Sequence, residues 1–184
     1  MKKFPRVLGI DDSPFRRLED PSCALIGVIY RFDGLIERIM SRKITIDGTD
    51  ATESILSMLK EYGGPVEAIV SEGITFGGFN IPDPLIFIEN GFPYISYSSR
   101  TPDLRSMYGA MEKYSLKENL TNLKKYESIE IKTLKGKFTV NLIGIDKNDA
   151  RTILQKTMIN GKKCEPVRVA HMIGKAFRYY SLNI

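Results

Sequence analysis

Apolar and polar residues follow one another along this chain in short runs whose period changes at clear breaks. Residues 7–10 (Val-Leu-Gly-Ile) are apolar and end at Asp11-Asp12. That is the pattern of a buried strand delivering acids at its carboxyl end. Residues 23–31 are apolar and rich in β-branched side chains, and Asp33-Gly34 beyond them is a hairpin-type turn. Residues 35–46 continue with alternation over Lys43-Ile44-Thr45-Ile46, so antiparallel strands in succession are predicted. Asp47-Gly48-Thr49-Asp50 interrupts them. Asp50 or Thr49 suits a helix N-cap, because either side chain accepts a hydrogen bond from a free backbone amide. Ile55, Leu56, Met58 and Leu59 supply a helical face, and Tyr62-Gly63-Gly64-Pro65 stops it.

The pattern then gives a strand over 66–70, a short helix over 82–89, a strand over 92–97 and a helix from Pro102-Asp103 to near Tyr114. Residues 113–135 are Lys-rich and weakly patterned, with a helix expected in the middle and a strand over 128–134. A second strand over 138–143 is joined to it by the Lys135-Gly136-Lys137 turn, and helices are predicted over 149–158 and 166–180. Antiparallel strands followed by β-α units imply an α/β fold, a mixed sheet with helices on its faces.

Composition narrows the class. The chain has 184 residues, 42% hydrophobic and 27% charged, suited to one globular domain over 1–184 with a real core. No apolar run approaches the roughly 18 residues of a spanning helix, so no membrane contact is expected. The N-terminal Met-Lys-Lys-Phe-Pro-Arg lacks the apolar stretch of a secretory signal. Cys23 and Cys164 read as reduced thiols, which points to the cytoplasm. A single histidine excludes Cys-His zinc fingers.

Charge is unevenly spread. The net +5 resolves into −1 over residues 1–150 and +6 over 151–184, while residues 44–89 alone sum to −7. An acidic centre with a basic C-terminal end suits a metal site beside a phosphate-binding surface; clustering on a solvated face is the other reading.

Three segments place carboxylates where strand ends can converge: Asp11 with Asp12, the Asp47/Asp50/Glu53 group, and Glu72. Ligands of such sheets gather off the carboxyl ends of the strands. Carboxylates suit Mg²⁺ or Mn²⁺, which polarise phosphoryl oxygens and activate water in phosphodiester hydrolysis. Each acid has a plainer role open to it. Asp11 and Asp12 can cap the Ser13-Pro14 turn, Asp47 can close an Asp-Gly turn, Asp50 can be only a cap and Glu72 only a surface acid. Next to Glu72 runs Gly73-Ile74-Thr75-Phe76-Gly77-Gly78-Phe79-Asn80. Its glycines let a backbone approach a ligand. Phe76 and Phe79 can stack on a base and Asn80 can bond its edge, or the two phenylalanines belong to the core. The Lys-Ser/Thr ending of a P-loop is absent. In the last helix Arg168, His171, Lys175 and Arg178 share one face, with Val169, Met172, Ile173, Ala176 and Phe177 toward the other. The basic stripe can hold a phosphate backbone, and His171 can move a proton beside the metal or serve structure alone.

The segments 7–15, 43–53, 73–80 and 165–173 occur here in that order. Together they resemble a largely archaeal family called endonuclease dU, itself similar to endonuclease V with an RNase H-like fold. The resemblance implies a metal-dependent endonuclease that nicks DNA near deaminated bases such as deoxyuridine or deoxyinosine, in DNA repair. Asp11 matches the first-strand aspartate. Glu72 stands where the family usually has aspartate before Gly-Ile, one methylene longer. Asp47, Asp50 and Glu53 lie in the segment expected to supply a third carboxylate, Asp50 and Asp47 ranking first. On this reading Asp11, Glu72, Asp50 and His171 are catalytic, and Asp11, Asp47, Asp50 and Glu72 hold Mg²⁺ or Mn²⁺. Gly73, Phe76, Gly77, Gly78, Phe79, Asn80, Arg168, Lys175 and Arg178 contact DNA, with RNA the other nucleic-acid candidate. The rival readings are a non-catalytic nucleic-acid-binding protein of the same fold and a phosphohydrolase acting on RNA or a nucleotide.

Overall fold

The computed structural model describes residues 4–181, with side chains through Phe177. The apolar runs become strands and the amphipathic stretches helices. The order is β1 (Arg6–Asp12), β2 (Ser22–Arg31), β3 (Ile36–Thr45), α1 (Ala51–Tyr62), β4 (Ala68–Glu72), α2 (Pro84–Glu89), β5 (Tyr94–Ser98), α3 (Leu104–Lys113), α4 (Lys117–Leu123), β6 (Ser128–Thr133), β7 (Gly136–Ile143), α5 (Lys147–Thr157) and α6 (Glu165–Ser181). The strands form one sheet in the order β3-β2-β1-β4-β5-β7-β6. β1, β4 and β5 run parallel in its centre, flanked by antiparallel pairs. The sheet is therefore mixed, as the pattern predicts. The β6–β7 hairpin extends it, because β7 pairs with β5.

Strand alternation sorts the side chains to two faces. Leu8, Ile10, Leu25 and Ile69 pack beneath α1 and α2 with Ile55, Met58 and Phe87. Val7, Val70, Ile95 and Val140 pack against Ile153 and Leu154 of α5 and Val167 of α6. Burying such side chains stabilises the fold by about 2 kcal/mol each. Cys23 and Cys164 are buried free thiols, and burial pushes both up to about 12.

α6 lies against β1 with almost nothing between them. A Cβ at Gly9 would collide with Pro166, and one at Gly174 would stand 2.9 Å from the Asp12 carbonyl oxygen and 3.0 Å from Ser13 Cα. This close approach sets which side of α6 is buried. Val167, Ala170 and Gly174 face the sheet, whereas Met172 and Phe177 are exposed. Of the apolar residues opposite the basic stripe, Val169 and Ile173 pack against the sheet while Met172, Ala176 and Phe177 are exposed.

Candidate active site

β1 carries two acids past its last buried residue, and alternation sends them apart. The Asp11 carboxylate points to α6, where its Oδ2 lies 2.9 Å from His171 Nδ1. Asp12 points to the other face and accepts from the Gly77 amide at 2.6 Å. The Asp12 amide donates to Asp11 Oδ1 at 3.0 Å. Burial pushes Asp11 up to about 6, the neighbouring Asp12 charge adds to this, and His171 opposes it. Asp12 is raised as well, chiefly by burial. Desolvation disfavours the charged form of a carboxylate, which is why both groups are raised.

β4 runs parallel to β1 with Ile10 beside Ser71, so the next residues, Asp11 and Glu72, are neighbours at the carboxyl edge. Glu72 pairs with Lys163 at 2.7 Å. Lys163 comes from the segment just before α6, so both groups that face these acids approach from the same side. In the sequence Lys163 is one base among several in the basic tail, since only the fold brings it to Glu72.

The second group of acids is engaged differently. Asp47 sits at φ 53°. Its carboxylate receives a two-pronged contact from Arg17 at 2.9 and 2.6 Å and the Phe79 amide at 2.7 Å. Asp50 accepts from the Thr45 amide (3.1 Å), the Thr45 hydroxyl (2.8 Å) and Asn80 Nδ2 (2.6 Å). It precedes α1 yet makes no side-chain cap bond; Asn80 Oδ1 accepts from the Ala51 amide instead, at 3.1 Å. Asp50 is thus the N-cap residue as expected, but its side chain is claimed by the end of β3 and by Asn80 instead of the helix amides. No group of three or more His, Cys, Asp or Glu placed to hold a metal occurs among the described residues. That holds for Asp11, Asp12 and Glu72 as for Asp47 and Asp50, and the oxygens of Asp47 and Asp50 hold the 73–80 loop to Arg17 and Thr45.

That loop is built from the inside. Gly73, Gly77 and Gly78 all have positive φ, which glycine alone adopts without strain. A Cβ at Gly78 would collide with Asp47 Oδ1. Phe76 and Asn80 exchange paired backbone bonds at 3.0 Å, and both are buried. Asn80 also donates to the Thr45 carbonyl at 3.0 Å, so its amide is spent on the loop. Neither Phe76 nor Asn80 faces an incoming base. Phe79 is half-buried, and the Arg17 guanidinium lies 4.3 Å over its ring, with Tyr114 at 5.4 Å on the same guanidinium. Arg17 is a further residue that the sequence does not reveal, because its partners are 30 or more positions away.

On α6, His171 reaches Asp11 as described. Arg168 instead forks onto Glu165 at 2.8 and 2.5 Å, an intrahelical pair that occupies the guanidinium expected at a phosphate. Lys175 is exposed. The Arg178 side chain lies outside the described residues.

A UPF0215 protein of Thermoplasma volcanium is 40% identical over 172 residues, covering 92% of this chain and 88% of that one. A solved structure of a protein of unknown function from Archaeoglobus fulgidus superposes with a TM-score of 0.82 at 27% identity, covering 94% of this chain and 98% of that one. Endonuclease V of Ciona intestinalis, in complex with DNA containing an inosine followed by a ribo-adenosine, shares the fold with a TM-score of 0.64. Identity there is 10%, over 99% of this chain and 88% of that one. The family model of endonuclease dU matches residues 3–178, and this chain belongs to that family.

Proposed function

We propose that this protein is a divalent-cation-dependent endonuclease that nicks DNA at deaminated bases. Family and fold point to a nuclease. The observation that carries the finer reading is the buried Asp11 carboxylate at the carboxyl end of β1, held by His171 and flanked by Asp12 and Glu72.

The donor set fits a hard cation. It is built of carboxylate oxygens, and the two aspartates are pushed up by burial, with His171 the base that opposes this. Asp11 would anchor Mg²⁺ or Mn²⁺, and Glu72 would join it on leaving Lys163. Mg²⁺ typically takes one or two carboxylates and fills its remaining positions with water and phosphate. When bound, the ion supplies Lewis acidity and an activated water. The chain's own residues supply position and proton handling. Gly77 fixes the Asp12 carboxylate and so the backbone turn that aims Asp11. His171 Nδ1 fixes the Asp11 side chain and can exchange a proton with it or with a substrate oxygen. Asp47 and Asp50, expected in the metal set, hold the 73–80 loop in this reading.

The loop from Gly73 to Phe79 lies beside this edge, and Phe79 offers a ring for stacking once Arg17 moves from it. The endonuclease V neighbour is bound to DNA containing an inosine, and the same kind of lesion is the substrate proposed here. Duplexes carrying one deoxyuridine or one deoxyinosine, incubated with Mn²⁺ or with chelator, test the reading. Nicking confined to the lesion strand in Mn²⁺ is expected. Binding without nicking in either condition would overturn it in favour of a non-catalytic binding protein.

A further inference from the structure

The 73–80 loop is tied to the candidate site at one point and to Arg17 at another. The Gly77 amide donates to Asp12 at 2.6 Å, and the Gly77 carbonyl accepts from the Asp47 amide at 2.8 Å. Asp47 in turn holds the Arg17 guanidinium. Arg17 stands in the connection from β1 to β2, which leaves the sheet directly after Asp11 and Asp12. A Cβ at Gly77 would meet Cys23 and Ile44, which pack beneath α1. The loop and Arg17 therefore lie on the Asp12 side of the sheet, across the carboxyl edge from His171.

As a structural tie, the Arg17–Asp47 pair is poorly placed. The Arg17 side chain is 36% exposed, and exposed ion pairs are cheap to open. Nor does Asp47 depend on it. The Phe79 amide still donates to its carboxylate at 2.7 Å, and Asn119 holds its carbonyl at 3.3 Å. What Arg17 does occupy is aromatic surface. Its guanidinium covers the Phe79 ring and reaches toward Tyr114, which is itself exposed.

The fork that Arg17 presents to Asp47, two N–H groups on two oxygens, is the geometry in which a guanidinium also takes a phosphate. Moving from one to the other bares Phe79, and a base stacked there gains what the guanidinium gives up. We infer that Arg17 is a phosphate-binding residue, which exchanges the Asp47 carboxylate for a phosphodiester of the bound DNA beside the nucleotide that stacks on Phe79. The inference rests on the nuclease reading above and adds the residue that grips the strand at the loop.

Fluorescence anisotropy of a labelled duplex with one deoxyinosine, in Ca²⁺ across a salt series, tests this on a cycle of variants. Arg17→Gln is expected to weaken binding roughly tenfold and to lower the slope of log affinity against log salt by about one. Asp47→Asn keeps an acceptor for the Phe79 amide, and asparagine tolerates the positive φ of this position. It frees the fork, so binding is expected to tighten by about threefold, the scale of one exposed ion pair. In the Arg17→Gln/Asp47→Asn protein that tightening is expected to vanish, because no fork remains to be freed. Tightening of equal size in both backgrounds would reflect lost negative charge alone and would overturn the inference. So would weaker binding by Asp47→Asn, or parental affinity and slope in Arg17→Gln; each of these leaves the nuclease reading intact. A parent that binds no duplex, in Ca²⁺ or in chelator, would overturn the nuclease reading and the inference with it.

Discussion

Two pairs of acids bracket β2 and β3, Asp11 with Asp12 and Asp47 with Asp50, and they behave oppositely. The first pair is partly buried against one imidazole and two backbone amides, and burial raises both carboxyls. The second pair is surrounded by donors: Arg17, the Phe79 amide, Thr45 and Asn80. An acid whose lone pairs are all answered by the protein is a brace. An acid that the fold has desolvated with fewer donors around it is the one to test for a cation. Position at a strand end does not distinguish the two; the partners do.

The sharpest way to break this contrast is Asp11→Asn, which keeps size and most hydrogen bonding while removing the charge. Nicking of a lesion duplex in Mn²⁺ is expected to fall by about a thousandfold or more, the scale of losing one preorganised electrostatic group. Parental activity in the variant would reduce Asp11 to the same standing as Asp50.

The same substitution has a second, smaller signature in the absence of metal. The Asp11 carboxyl titrates near about 6 in the folded chain against 3.8 for the ordinary side chain. The folded state thus binds its proton more tightly. That stabilisation is fully present below about pH 3.8 and is lost as pH rises through about 6. Denaturant unfolding in chelator is expected to show Asp11→Asn gaining on the parent across this window, by up to about 3 kcal/mol. Taking the difference between the two proteins cancels carboxylates held low elsewhere, such as Glu37 and Glu165. A flat difference would show that the folded chain does not hold this proton.

Asp50→Ala probes the brace. It strands the Thr45 amide and a buried Asn80 amide, and a loss of about 2 kcal/mol in unfolding free energy is expected. Unchanged stability would mean the loop does not depend on it. Smallest of all, Lys163→Met breaks a partly exposed pair with Glu72 and should move stability by less than about 1 kcal/mol. Calorimetric Mn²⁺ titration should show tighter binding, because Glu72 no longer has a competing partner. Weaker binding would place Lys163 among the groups that shape the cation site rather than oppose it.

Much of this is legible in the chain. The runs at 7–10 and 23–31 fall on strands because both faces of the central sheet are covered there, so the apolar run is continuous. Alternation by itself also sends Asp11 and Asp12 to opposite faces. Choice of partner is not legible. Arg17 meets Asp47 across 30 positions, Asn80 meets Asp50 across 30, and Lys163 meets Glu72 across a greater span; no local pattern encodes such meetings. Arg168 misleads for the converse reason, since Glu165 lies one turn earlier and takes its guanidinium first. The inner side of α6 misleads because hydrophobic patterning weighs Met172 and Phe177 above Ala170 and Gly174, while backbone-to-backbone contact demands the small residues.

That close approach reaches into the chemistry. Where Gly9 meets Pro166 and Gly174 meets Asp12 and Ser13, the glycines leave no side chain of their own to flex or re-pack. The spacing between His171 and Asp11 is inherited from the main chains themselves. The molecule keeps His171 and Asp11 in register by leaving atoms out, and a single added methyl at Gly174 would act as a shim that lifts the imidazole away from its acid.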